Sequence, residues 1–324
     1  MTDYKFIIQS SPHWKDKDSV PKIMYTVIFS LMPAVLASLY FWRWRAVGLI
    51  FACIITSLVT EALFLWLRKK PLSPLLDGSA IITGLLLALT LPPSLSLELA
   101  VIGAVMAIAL GKQVFGGLGN NIFNPALVGR AFLQTAFPVA MTTWIPPVSL
   151  HIDTATLATP LAQVKFYQAV GRQTIPPLKD LFWGNIGGSL GETSAVALLI
   201  GAVYLLWRKT IDWRIPTGII LSLTALTGIF WLAKPNQYAS PVFHLLSGGL
   251  LIGAFFMATD MVTSPVTPLG SWIYALAIGF IIGLIRLFGG FPEGVMYSIF
   301  FMNAFVPLLN RFTRPRILGE RRAA

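Results

Sequence analysis

Apolar residues in this chain fall in long runs separated by short polar joints rich in proline and glycine, without the strict alternation of a half-buried strand. Ten runs cover about 23–42, 46–67, 76–91, 96–115, 120–137, 193–208, 215–233, 241–259, 270–288 and 294–310. Their lengths approach the roughly 20 residues a helix needs to cross the hydrocarbon of a bilayer. Backbone polar groups find no water there, so only helices and closed barrels span it, and continuous apolar runs select helices. The pattern therefore predicts an all-α polytopic membrane protein of about ten transmembrane helices. Two of the helices are expected to be short and broken near proline, at LTLPPS (89–94) and TDMVTSP (259–265).

The two halves of the pattern resemble each other. LLDGSAIITG at 75–84 aligns with LLSGGLLIGA at 245–254, VFGG at 114–117 with LFGG at 287–290, and AF at 131–132 with AF at 304–305. Five spans per copy is an odd number, so a duplicated unit enters the membrane from the opposite side, which predicts two inverted five-helix repeats. The boundaries expected are a cytoplasmic arm at 1–22, repeats at 23–137 and 190–310, an extracytoplasmic connection at 138–189 and a basic cytoplasmic tail at 311–324.

Composition agrees with this pattern: 56% of residues are hydrophobic and only 11% charged, with a mean hydropathy of +0.74. Placing the N-terminus in the cytoplasm puts sixteen of the 24 lysines and arginines on that side, which satisfies the positive-inside rule with both termini cytoplasmic. The net charge of +11 is then an orientation signal and carries no implication of nucleic-acid binding. The first twenty residues lack the apolar core and cleavage site of a signal peptide and are expected to be retained. Cys53 is the only cysteine, which excludes an intrachain disulfide or thiolate cluster and suggests a buried structural thiol. His13, His151 and His244 lack paired ligand spacing. Trp42, Trp44, Trp207 and Trp213 adjoin span ends and read as an interfacial belt.

Three groups of residues have chemical potential. The connection 138–189 carries DTATLATPLA (153–162), a hydroxyl-rich turn with no base beside its threonines, so hydrolase chemistry is poorly supported and a modification acceptor fits better. Its Asp-x-x-Thr-x-Ala-Thr pattern resembles the site at which a flavin transferase joins FMN through phosphate to a threonine. Small residues such as Ala158 leave the Thr159 hydroxyl accessible, while Asp153 and Thr156 are available to the modifying enzyme. The second group, in GLGNNIFNPALVGRAFL (117–133), is Asn121 and Asn124, which either cap a helix or offer donors and acceptors to a flavin. The third is the set of ionisable residues within or beside spans. Asp77, Asp260, Glu61 and Arg130 form a candidate cation path, although Asp260 also suits a cap and Arg130 a structural pair.

These motifs, with SSPHWKDKDSVPKIMYTVIFSLMPA, GETSAVALLIGAVYLL and FFMATDMVTSPVTPLG, occur in the order found in the RnfD family of the Rnf electron-transport complex, a resemblance covering nearly the whole chain. More distantly the chain is similar to the NqrB component of the sodium-pumping NADH:quinone oxidoreductase. The resemblance implies a ten-helix inverted-repeat fold, FMN covalently attached to Thr159, and a second flavin, riboflavin or FMN, between helices. It also implies a bacterial or archaeal cytoplasmic membrane, other Rnf-type subunits and a flavin transferase as partners, and electron transfer coupled to Na⁺ or H⁺ movement. Leu157 stands where many members have glycine. A quinone-reducing component of the NqrB kind and a non-redox inverted-repeat channel or carrier are the alternatives.

Overall fold

The computed structural model describes residues 18–147, 158–167 and 176–315, and among these every regular element is helical. Five helices are long and apolar enough to cross a membrane: α1 (Val20–Trp42), α2 (Trp44–Leu67), α10 (Arg214–Ala233), α13 (Pro268–Phe288) and α14 (Val295–Phe312). Between them lie α3 (Ser79–Thr90), α4 (Leu97–Ile108), α5 (Pro125–Ala136), α6 (Pro138–Thr142), α7 (Pro160–Ala162), α8 (Leu178–Trp183), α9 (Ala195–Trp207), α11 (Pro241–Leu246) and α12 (Leu250–Ile252). Each of the ten apolar runs contains helix, but several are shorter than a full crossing. The protein is therefore a polytopic membrane protein whose number of crossings is not fixed by helix length alone.

Local chemistry explains these shorter lengths. In the run 120–137 helix begins only at Pro125, because Gly116, Gly117 and Gly119 all take positive φ and keep the preceding chain irregular. Helices α5, α11 and α13 each start on a proline, which has no amide to leave unpaired, after a capping side chain: Asn124, Ser240 and Thr267. The run 241–259 splits at an extended Ser247 and a left-handed Gly248, resumes as α12, and ends in a π-helical turn at Gly253–Met257. The run 76–91 opens as a 3-10 turn at Ser73–Asp77 and reaches α3 through left-handed Gly78. Gly78 and Gly248 are opposite each other in the alignment of the two halves, with φ of 84° and 69°.

Packing recurs between the halves. Helix α2 packs on α3 and α4, and α4 on α5, as α10 packs on α11 and α13, and α13 on α14. The seam is formed by α1 against α9 and α5 against α14. Phe123 and Phe300 stack across it, with ring centroids 4.2 Å apart. Beyond Thr90 the chain leaves the helix, and the amides of Leu190 and Gly191 donate to the carbonyls of Leu91 and Leu89 at 3.0 and 2.7 Å. The second half thus satisfies helix-end carbonyls of the first.

Some sequence expectations require correction. Trp42 is only 3% exposed, whereas Trp44, Trp207 and Trp213 are 83%, 77% and 54% exposed. Trp42 packs with the core as α1 turns into α2, so it does not join an interfacial belt. Lys112 and Arg286, which the charge count placed at opposite sides of the membrane, are buried, only 1% and 5% exposed. Helix also punctuates the connection 138–189, in α6, α7, α8 and a π-helical turn at Gln163–Tyr167. The arm up to residue 17 and the tail from residue 316 lie outside the described residues.

Close approach of α1 and α9 depends on Gly201, where an added Cβ would collide with the Ser30 carbonyl and the Phe256 ring. Gly201→Leu is expected to destabilise the protein by about 1–3 kcal/mol, read as a lower unfolding midpoint in detergent. Val203→Leu on the exposed face of the same helix is expected to leave that midpoint unchanged. Equal midpoints for the two variants would contradict the packing at this seam.

Candidate functional site

Thr159 is the N-cap of α7, its hydroxyl accepting from the Ala162 amide at 3.3 Å, and only 5% of it is exposed. It faces a large cavity of about 2070 Å³, part of it open to solvent. Ala158, Arg130, Glu192 and Glu293 line this space, with Trp144, Phe166, Phe291 and Tyr297 as aromatic wall. Lys165 fixes the segment that follows Thr159, donating to the carbonyls of Ile285, Arg286 and Phe291 at 2.8, 3.3 and 2.8 Å. Those carbonyls are at and beyond the C-terminal end of α13, where a cation meets the negative end of the helix dipole. Desolvation at this contact lowers the pKa of the Lys165 ammonium below the ordinary lysine value. Asp153, Thr156 and Leu157 lie outside the described residues.

Asn121 and Asn124 line a second space, of about 750 Å³ with part of it open to solvent, together with Asp260, Lys112, Ser79 and the rings of Phe255 and Phe256. Asn124 has two roles. Its Oδ1 caps α5 by accepting from Ala126 and Leu127, and its Nδ2 donates to the Met257 carbonyl at 3.3 Å. Asn121 donates to the Phe123 carbonyl, but its Oδ1 is buried without a partner in the protein. A buried amide oxygen without a donor is costly, and beside a cavity it suits a ligand that brings an N–H or O–H. Asp260 accepts from the Val262 amide and the Thr263 hydroxyl, closing a local turn on the wall of this cavity, whereas the helix that follows, α13, is capped by Thr267.

One thin partition separates the two cavities. Helix α5 lines the asparagine cavity at Pro125 and the threonine cavity at Leu127 and Arg130. The axial rise from residue 125 to residue 130 is only about 8 Å. The π-helical turn does the same, offering Phe255 and Phe256 to one side and Met257 to the other. Asn124 joins the two walls through its bond to Met257.

Buried charges adjoin both spaces. Glu61 is 2% exposed and 2.5 Å from Lys112 Nζ, and Gln113 Nε2 also donates to it at 3.1 Å. Lys112 donates in turn to Ser79 Oγ at 2.6 Å, and Ser79 donates through its amide and hydroxyl to Asp77. Glu61 and Asp77 thus share one network that reaches the asparagine cavity through Lys112 and Ser79. Arg130 belongs to the other cavity, donating to Glu192 at 2.9 Å and Glu293 at 3.0 Å. Lys112, Glu192, Glu293 and Arg286 are absent from the residues expected on sequence grounds. The signal that could have found them is a lone charge abutting an apolar run, in GKQ, GET, FPEG and LIRLF.

Lys112→Met leaves the Glu61 carboxylate buried without its cation and is expected to cost about 3–5 kcal/mol. Adding Glu61→Gln is expected to restore much of that loss, so a double-mutant cycle of unfolding midpoints shows strong coupling. Additive losses would contradict the pairing.

Over residues 7–319 the chain matches the profile of the NQR2, RnfD, RnfE family. It is 45% identical over 323 residues to the D subunit of the proton-translocating ferredoxin:NAD(+) oxidoreductase complex of Clostridium ljungdahlii, covering 98% of this chain and 97% of that one. The D subunit of the Na(+)-translocating ferredoxin:NAD(+) oxidoreductase complex of Acetobacterium woodii is likewise 45% identical over 323 residues, with the same coverage of 98% and 97%. The D subunit of the ion-translocating oxidoreductase complex of Stutzerimonas stutzeri is 39% identical over 330 residues, covering 94% and 93%. A match along almost the full length, on a helical scaffold with paired cavities at its seam, places the chain in the NQR2, RnfD, RnfE family.

Proposed function

We propose that this chain is the RnfD-type membrane component of an ion-translocating ferredoxin:NAD⁺ oxidoreductase complex. In this reading it passes electrons between an FMN esterified to Thr159 and a second flavin, riboflavin or FMN, in the asparagine cavity. Transfer is coupled to Na⁺ or H⁺ movement across a bacterial or archaeal cytoplasmic membrane. Both termini are cytoplasmic, the connection 138–189 is extracytoplasmic, and a flavin transferase and the remaining subunits of the complex are the partners. The observation that carries the reading is the placement of Thr159 on one of two cavities that share α5 and the π-helical turn as a common wall.

Bound flavin would supply the electron-carrying chemistry, and the protein's part is to hold and insulate it. At the threonine cavity the hydroxyl of Thr159 is the point of attachment, Lys165 fixes the segment that bears it, and Phe166, Phe291 and Tyr297 offer apolar faces to a flat ring. Beside this space Arg130 is paired with two carboxylates, Glu192 and Glu293, so its charge is already engaged. At the asparagine cavity Asn121 Oδ1 would accept from a ring N–H or a ribityl hydroxyl, and Phe255 and Phe256 would exclude water. Lys112 lies on the same wall and belongs to the Glu61 network. Negative charge entering this cavity would be felt by that network, which supports coupling to a cation.

A chain from a flavinylating host should show in-gel flavin fluorescence that survives denaturation, and Thr159→Ala is expected to abolish it. Fluorescence persisting in Thr159→Ala would contradict this attachment residue. Asn121→Leu is expected to retain the covalent signal while weakening the second flavin about tenfold or more, read as flavin released on denaturation. Unchanged release would move the second flavin away from the asparagine cavity.

A further inference from the structure

Arg130 is unusual in serving two carboxylates at once. Its Nη1 donates to Glu192 Oε1 and its Nη2 to Glu293 Oε2, and these acids come from separate segments, one before α9 and one before α14. Both line the cavity of Thr159, and both also border the small cleft on the other side of that residue. Glu192 is held from behind by the Ser189 hydroxyl at 2.8 Å. The side chains differ in access to solvent, Glu192 being 3% exposed and Glu293 21%.

We propose that the Glu192 and Glu293 pair is a redox-linked proton acceptor, binding one proton from solvent when an electron enters the cavity of Thr159. This inference rests on the reading that a flavin is attached there. One electron arrives from a one-electron reductant, one proton arrives from water through the cavity mouth, and one carboxylate becomes a carboxylic acid. No other bond forms or breaks. The second carboxylate remains on Arg130, so protonation leaves the guanidinium paired, which a single acid could not do.

The surrounding charges point the same way. With both acids ionised, Arg130 and Arg286 balance them, and the cluster has no positive charge in reserve for an incoming electron. Arg286 is committed to the carbonyls of His244 and Ser247. A Cβ added at Gly248 would meet Arg286 Nη2 at 3.2 Å and Glu293 Oε1 at 3.3 Å, so the pair packs directly on the break before α12. Lys165 is engaged with three carbonyls, His244 is buried behind Arg286, and Tyr297 lines the same cavity beside Arg130. A negative charge entering this low-dielectric space is opposed by two carboxylates, and proton capture by one of them removes that opposition.

The test is a potentiometric titration of the covalently bound flavin in the full-length chain at a series of pH values, for the unmodified protein and for Glu192→Gln/Glu293→Gln. One proton per electron corresponds to about 59 mV for each tenfold change in proton activity. The unmodified protein is expected to show a steeper pH dependence than the double variant, by up to that amount, with the fluorescent band present in both. Equal slopes in two flavinylated proteins would overturn the inference while leaving the attachment at Thr159 intact. Absence of covalent flavin from the unmodified chain would defeat the attachment and this inference together. Should the double variant fail to fold, infrared difference spectra of the unmodified chain decide. A carboxylic acid band appearing on reduction and shifting in D₂O is expected, and no such band would overturn the proposal.

Discussion

A helix interrupted inside a membrane exposes carbonyls and amides that only the protein can satisfy, and this constraint organises the whole scaffold. At the break between α11 and α12, Arg286 donates to the carbonyls of His244 and Ser247. At the end of the π-helical turn that follows, Asn124 donates to Met257. In the first half the amides of Leu190 and Gly191 cap carbonyls at the C-terminal end of α3, and Lys112 and Asp77 converge on Ser79 where α3 begins. Each solution brings a polar side chain or backbone from a distant part of the sequence to a broken end. Cavities lie beside these places because helices that stop short leave space that longer ones would fill.

Buried charge follows the same geometry. Two charges removed from water cost several kcal/mol each unless their pairing is good, so a hydrophobic replacement often stabilises a fold. Here the pairs sit at joints and not in the middle of the apolar core: Glu61 of α2 meets Lys112 in the π-helical turn that extends α4, and Arg130 of α5 meets acids from two connecting segments. Both networks touch a cavity wall. Ionic groups in those positions make sense when the neighbouring space receives charge, which is the role proposed above for the two cavities.

The helical class was legible in the sequence because a bilayer forces long apolar runs, and the internal alignment placed Gly78 opposite Gly248, where both backbones are left-handed. Thr159, Asn121 and Asn124 stand out in the sequence as polar residues in fixed motifs of an apolar chain, and the fold brings each to a cavity wall. Other features were hidden for physical reasons. Lys112 and Arg286 lie next to glycine-rich joints, and only tertiary packing separates a buried lysine from a solvated one. Glu192 and Glu293 are 101 positions apart in the sequence, and Arg130 joins them only once α5 is docked on the seam. Trp42 ends a span, but it is packed into the core where α1 gives way to α2 at Arg43, with φ of 48°.

The central claim is that the scaffold holds one flavin covalently and one by side-chain contacts, in cavities that share a wall. Mass spectrometry of the purified chain from a flavinylating host, intact and after proteolysis, tests it most directly. The account predicts the added mass of one FMN, carried on the peptide containing Thr159, and one further flavin released when the protein is denatured. A bare polypeptide mass, or FMN carried on any other peptide, would contradict it.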